Sequence, residues 1–171
     1  MAVCYIQSVF AIWGSGFVIP GTGVLMNNRM LGFHTDPQSP NCVAPGKRCV
    51  HTLNNFLVLR DGELVVGGGT PGSNFQVQTN LQTVAGVLDQ RLDLHSAINA
   101  PRWGCTDDGA LAMESRFPEA VVRELEARGH RVRRVGPWDT PLSRSQVVAS
   151  LPGGGWAVAS DLRSEGLALA T

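Results

Sequence analysis

The chain has 171 residues, 43% of them hydrophobic and 16% charged, a balance that supports a packed core and excludes a disordered or coiled-coil chain. Fourteen basic and fourteen acidic side chains cancel to a formal net charge of zero with no polybasic run, which argues against nucleic acid or an anionic membrane surface as a partner. The longest apolar stretch, residues 9–19, is interrupted by Gly14, Ser15 and Gly16 and is too broken to span a bilayer, and no charged segment follows Met1 as a signal peptide requires. A cytoplasmic location is the resulting expectation.

Residues 2–13 are mostly β-branched, aromatic or otherwise apolar, with Gln7 and Ser8 as exceptions, and read as a strand buried on both faces. Gly14-Ser15-Gly16 and Pro20-Gly21-Thr22-Gly23 are turn signals, with short extended pieces at 17–19 and 24–27. Residues 31–48 hold Pro37, Pro40, Pro45, Gly32 and Gly46 and read as a long loop of the kind that usually carries function. Residues 54–60 and 63–66, joined by Asp61-Gly62, make a hairpin with a type I′ turn.

A glycine-rich run from Gly67 to Asn74 follows. Val77, Leu81, Val84, Ala85 and Leu88 then recur at helical spacing. A second helix covers 94–99 and stops before Pro101. Residues 110–114 form a strand, and 118–128 form a helix with Pro118 in its first turn and Gly129 at its C-terminus. Strands are expected at 131–135, 145–151 and 156–159. Strands followed by helices and then strands indicate an α+β fold of layers, not a doubly wound parallel sheet. Arg123, Arg128, Arg131, Arg133 and Arg134, interleaved with Glu119, Glu124 and Glu126, read as a solvated helix face and an edge strand.

Cys4, Cys42, Cys49 and Cys105 form no C-x-x-C pair, and no histidine stands at zinc-finger spacing, so the cysteines call for neither a metal nor an oxidising compartment. Cys4, in its apolar run, reads as a buried thiol. The run Gly67-Gly68-Gly69-Thr70-Pro71-Gly72-Ser73-Asn74 leads a strand into a helix. Backbone N–H groups collected at such a place favour a bound anion or a developing oxyanion. The run matches neither the P-loop, because no Gly-Lys-Ser/Thr follows, nor the dinucleotide fingerprint.

The whole set of local motifs resembles the C-terminal, small-subunit half of the gamma-glutamyltransferase family of N-terminal nucleophile hydrolases. The residues that carry the resemblance begin with Gly14-Ser15-Gly16, Pro20-Gly21-Thr22-Gly23-Val24 and Asn27-Asn28-Arg29-Met30. Gly32-Phe33, Ala44-Pro45-Gly46-Lys47-Arg48, Asp61-Gly62 and Thr70-Pro71-Gly72-Ser73 follow. Ala97 to Arg102, Gly129-His130 and Ser160-Asp161-Leu162-Arg163 complete the set. The resemblance implies an αββα sandwich of two stacked, mainly antiparallel sheets between helix layers, of which this chain would be the C-terminal half. It also implies self-cleavage of a precursor, which frees a threonine whose hydroxyl is the nucleophile and whose α-amine is the base. That threonine strand has no counterpart in residues 1–171, so the chain alone is expected to be inactive. Its partner is expected to be a large subunit from the same precursor, and its substrate a small molecule, with neither cofactor nor metal required.

By the same resemblance, Gly72 and Ser73 match the pair whose N–H groups form the oxyanion hole, and Ser8 matches a hydroxyl that supports the nucleophile. His51 and Thr52 match a serine pair that binds the substrate carboxylate. Arg29, with Asn28 beside it, falls where the family has glutamine. Gly32 replaces the aspartate that grips the glutamyl ammonium group, and Phe10 replaces an asparagine of that pocket. These departures imply an acylase-like enzyme whose acyl group is carboxylated or aromatic instead of gamma-glutamyl. The alternatives are a non-catalytic remnant or binding protein, and part of a hydrolase of natural-product biosynthesis.

Overall fold

The computed structural model describes residues 1–139 and 142–169. They divide into two compact units: Ile6–Leu53, and a larger one made of Met1–Tyr5 with the chain from Asn54 onward.

The larger unit is α+β. Strands β1 (Asn55–Arg60), β2 (Glu63–Gly69), β6 (Gln146–Ser150) and β7 (Trp156–Ser160) form an antiparallel sheet in the order β1-β2-β6-β7. A second sheet pairs β3 (Trp103–Cys105) antiparallel and β5 (Val132–Val135) parallel with a central β4 (Leu111–Glu114). The expected hairpin is present, and its turn has Asp61 at φ 53° and Gly62 at φ 84°, the two left-handed residues that a type I′ turn needs. Strand β2 runs three residues beyond the expected end, taking in Gly67, Gly68 and Gly69. A Cβ on Gly67 would lie 2.6 Å from Leu57 Cδ2, and one on Gly68 would lie 2.5 Å from Val147 Cγ1. Gly68, whose Cβ would also lie 2.6 Å from the Gln146 carbonyl oxygen, is therefore what lets β2 fit against β6.

Helices α1 (Phe75–Leu88) and α2 (Leu94–Asn99) pack on one face of the four-stranded sheet. Val66, Val147, Ala149 and Ala159 meet Leu94, Ile98 and Val87 there as the main core. Asp93 caps α2 by accepting from the Ser96 N–H at 3.0 Å. Helix α3 (Glu119–Ala127) covers the second sheet through Val122 and Leu125 against Leu111, Met113 and Val132. Its Glu119 and Glu124 form exposed ion pairs with Arg123, Arg128 and, from β5, Arg134, as expected of a solvated helix face and an edge strand.

Helix α1 follows the expected periodicity but buries a different face. Val77 is 61% and Leu81 63% exposed, whereas Gln76, Thr79, Thr83 and Gly86 are buried. The polar side serves β3, a strand too short to be read from sequence. Gln78 and Gln82 each clamp one residue of β3: Gln78 Oε1 accepts from Cys105 N at 2.6 Å and its Nε2 donates to Cys105 O at 3.1 Å, while Gln82 does the same for Trp103 at 3.2 and 2.8 Å. Two amides four residues apart on one helix thus stand in for a neighbouring strand.

The expectation for residues 2–13 is overturned, because they form no strand. Both edges of β2 are already taken by β1 and β6, and residues 2–5 are tied by side chains instead. Cys4 Sγ donates to Gly68 O at 3.1 Å, and Asn55 Nδ2 donates to Cys4 O at 2.8 Å. Phe10 at φ 79° and Trp13 at φ 63° then end any extended course. Cys4 is half-buried, not buried, and all four cysteines are free thiols. Burial pushes the Cys4 thiol up, against the opposing pull of its contacts with Asn55 and Phe56.

In the smaller unit, both turn signals form. Ile19 N–H donates to Val24 O at 2.9 Å, and a bridge joins Val18 to Leu25. Arg29–Gly32 is a single 3-10 turn, and the long loop folds back on itself through a bridge between His34 and Cys42.

Candidate active site

The glycine turn lies in the larger unit. Thr70 is buried; its Oγ1 donates to Pro71 O at 2.8 Å and accepts from Arg144 N at 2.7 Å. Gly72 at φ 130° and Ser73 at φ 49° are consecutive left-handed residues, the second a cost that serine carries and glycine would not. Their carbonyls start α1, accepting from Phe75 N at 3.0 Å and Gln76 N at 3.2 Å. Their own N–H groups find no acceptor among the described residues, and Asn74 gives no side-chain cap. Two unclaimed donors at a helix N-terminus are what an oxyanion needs.

The turn is backed by Ser143, fully buried at φ 78°, whose Oγ would stand 2.1 Å from a Cβ on Gly72. The segment holding Ser143 is fixed by a buried ionic cluster. Arg102 donates to Leu142 O at 3.3 Å, Ser143 O at 3.1 Å, Ile98 O at 2.7 Å and Asp161 Oδ2 at 2.8 Å. Asp161 also accepts from Ser145 N at 2.9 Å, and from Arg163 Nη1 at 2.9 Å and N at 3.0 Å. Arg163 grips Glu114 through both oxygens, and Arg116 reaches the same carboxylate with its guanidinium 3.6 Å from the Trp138 ring. Burial pulls the Arg102 guanidinium below its ordinary value, against Asp161. For Asp161, burial would raise the carboxyl, but Arg102 and the Arg163 and Ser145 N–H groups hold it low. The sequence motifs Ala97 to Arg102 and Ser160 to Arg163 supply three members of this cluster. Their role was not legible, because the partners are far apart in the chain.

The remaining candidates lie in the smaller unit, and several converge. Arg29 is 9% exposed; its Nη1 donates to Thr52 Oγ1 at 3.2 Å, and its guanidinium stands 5.6 Å from the Phe10 ring centroid. Arg29 Nη2 is buried without an acceptor. Asn28 ties this corner together by accepting from Ala11 N at 3.0 Å through Oδ1 and donating its N–H to Val9 O at 3.1 Å. Ser8 Oγ accepts from Phe10 N at 2.9 Å. His51 is exposed, with Nδ1 accepting from Leu53 N at 3.4 Å. Gly32 brings no carboxylate; its carbonyl accepts from Asn41 Nδ2. Among the described residues no cluster of three or more His, Cys, Asp or Glu could hold a metal ion. No helix among them is long and apolar enough to cross a membrane.

The family model described as Gamma-glutamyltranspeptidase matches residues 1–171, the whole chain. The chain belongs to the gamma-glutamyltranspeptidase family. A curated member, the oxamate amidohydrolase proenzyme of Klebsiella pneumoniae, is 34% identical over 98% of this chain. The chain spans about a third of that relative's length, 33%. Among solved structures, a cephalosporin acylase from Bacillus halodurans superposes with TM-score 0.86 at 33% identity, covering 95% of this chain and 30% of that one. A gamma-glutamyltranspeptidase from Pseudomonas nitroreducens gives TM-score 0.82 at 26% identity, over 98% of this chain and 92% of that one. The fold is thus that of the C-terminal portion of this family's N-terminal nucleophile hydrolases.

Proposed function

We propose that residues 1–171 are the small-subunit portion of an enzyme that cleaves an amide by acyl transfer. The attacking group is the hydroxyl of an N-terminal threonine, for which the relatives' greater length leaves room outside residues 1–171. Its α-amine takes the hydroxyl proton as oxygen adds to the acyl carbon. The tetrahedral oxyanion is met by the N–H groups of Gly72 and Ser73, the amine leaves with a proton, and water or an acceptor amine then releases the acyl group. Neither step calls for a cofactor or a metal. The observation that carries this reading is the pair of left-handed residues whose donors are left unclaimed at the head of α1. Ser8 as support for the nucleophile, and Asn28, Arg29, His51 and Thr52 as substrate contacts, enter this reading from the family resemblance alone.

The partner in this reading is a large subunit from the same precursor. The open face of the four-stranded sheet supports it: Leu57, Leu59, Trp156 and Val158 are exposed there, and Val77 and Leu81 leave a second apolar stripe bare on α1. Apolar surface of this extent on one molecule usually marks a protein interface.

The acyl group in this reading is not gamma-glutamyl. An ammonium group held in a partly buried pocket needs a carboxylate, and Gly32 offers none. The test compares kcat/KM of the matured full-length protein on gamma-glutamyl anilide with that on glutaryl and aryl-acyl anilides. Preference for the gamma-glutamyl compound would refute the pocket argument, and no cleavage of any amide would refute the activity itself.

A further inference from the structure

We infer that Ser143 is a positioning residue of the oxyanion turn: it is kept in a strained setting because its side chain stops Gly72 and so fixes the direction of the two unclaimed N–H groups. This rests on the amide-cleaving reading and adds a residue to it. Ser143 belongs to the larger unit and is fully buried at φ 78°, in the left-handed region that is costly for any residue with a Cβ. Its Oγ is buried and finds no hydrogen-bond partner among the described residues, a second cost at the same position. Routing the chain requires neither, since glycine would take the same backbone course without them.

A strained residue persists only where its surroundings over-determine it, and those of Ser143 do. Leu142 O accepts from Thr79 Oγ1 at 3.2 Å and from Arg102 Nη1 at 3.3 Å, and Ser143 O accepts from the same guanidinium nitrogen at 3.1 Å. Arg144 N donates to Thr70 Oγ1 at 2.7 Å, and Ser145 N to Asp161 Oδ2 at 2.9 Å. The result of this fixing is contact with the turn. A Cβ on Gly72 would meet Ser143 Oγ at 2.1 Å, its Cβ at 3.0 Å and its Cα at 3.2 Å, so Oγ fills the side that Gly72 leaves open. On the far side the Gly72 and Ser73 carbonyls are tied to Phe75 N and Gln76 N. Glycine has backbone freedom that the rest of the turn lacks. Stopped by Ser143, Gly72 presents its N–H and that of Ser73 in one direction before substrate arrives, and donors that need no reorganisation lower the barrier most. Ser143 thus acts through Gly72.

The experiment uses the matured full-length enzyme and whichever acyl anilide it cleaves fastest. Ser143→Ala removes Oγ, and Ser143→Gly removes Cβ as well. kcat is expected to fall roughly threefold in the first and roughly 10-fold in the second with KM little changed, less than the about 100- to 1000-fold of losing a donor outright. The melting temperature should hold or rise by up to roughly 4 °C, the reverse of the order in kcat. Ser143→Gly with kcat within about twofold of wild type would overturn the inference. So would a kcat that falls only together with the melting temperature. A cycle with Gly72→Ala tests the contact without turnover. Ser143→Gly should raise the melting temperature more in the Gly72→Ala background than in the wild type, and an equal change in both would overturn the inference. If no amide is cleaved, the amide-cleaving reading fails by itself. Hydrogen exchange at Phe75 N and Gln76 N then decides the positioning: exchange about 10-fold faster in Ser143→Gly supports it, and unchanged exchange overturns it.

Discussion

Asp161→Asn is the sharpest probe of what holds the oxyanion turn in place. The Asp161 carboxylate is 1% exposed and accepts four N–H groups, from Arg102, Ser145 and, twice, Arg163. Asparagine keeps the shape but removes the charge and turns one acceptor into a donor. Arg163 retains Glu114 through two contacts, so Arg102 is left as the uncompensated buried charge. Breaking a buried pair from one side costs about 3–5 kcal/mol. For a chain of this size that lowers the melting temperature by roughly 6–20 °C, read by near-ultraviolet circular dichroism. Because Arg102 also holds the carbonyls of Leu142 and Ser143 behind Gly72, turnover of the full-length enzyme should fall at temperatures where the variant is still folded. Replacing Arg102 and Asp161 together by Met and Leu should recover most of the stability but not the turnover. A loss below about 1 kcal/mol for Asp161→Asn would refute the reasoning, since that is the range of an exposed pair.

Acid should act through the same residue. A carboxyl held below its ordinary value binds fewer protons folded than unfolded, so its contribution is complete above about pH 4 and is lost as pH falls toward the folded value. Denaturant midpoints should therefore drop in that window, and Asp161→Asn should flatten the drop. Gly72→Ala must put a Cβ 2.1 Å from Ser143 Oγ at φ 130°; the strain, about 1–3 kcal/mol, should appear as a lowered melting temperature with turnover lost in the full-length enzyme. Gln82→Leu removes both bonds to Trp103 and should cost about 1–3 kcal/mol, with faster amide exchange at Trp103 as the specific sign. The chain produced alone should self-associate in sedimentation velocity, and Leu57→Lys with Val158→Lys should reduce that association; a monomer without the substitutions would count against a covered sheet face.

Local chemistry made much of the fold legible. Asp61-Gly62 announced its turn, Pro101 marked the end of α2, and Pro118 and Gly129 bracketed α3. Elements that depend on distant partners were not legible. Strand β3 is three residues completed by glutamine side chains from α1. Residues 2–13 carry a strand's composition but do not join a ladder. The glycines after Val66 look like loop, yet they lie in β2, where a Cβ on Gly68 would collide with Val147 and the Gln146 carbonyl. At the site, Arg29 and Thr52 are 23 residues apart, and their convergence was indicated only by family resemblance. The pairing of Arg102 with Asp161 spans 59 residues, and no local pattern encodes it.

Mapping the covalent acyl-enzyme by mass spectrometry tests the central claim most directly. The matured full-length protein is trapped during turnover of a slow acyl anilide and its peptides are sequenced. The account predicts the acyl group on an N-terminal threonine of the polypeptide that carries residues 1–171. An adduct on Ser8, Ser73 or any other side chain within residues 1–171 would contradict it.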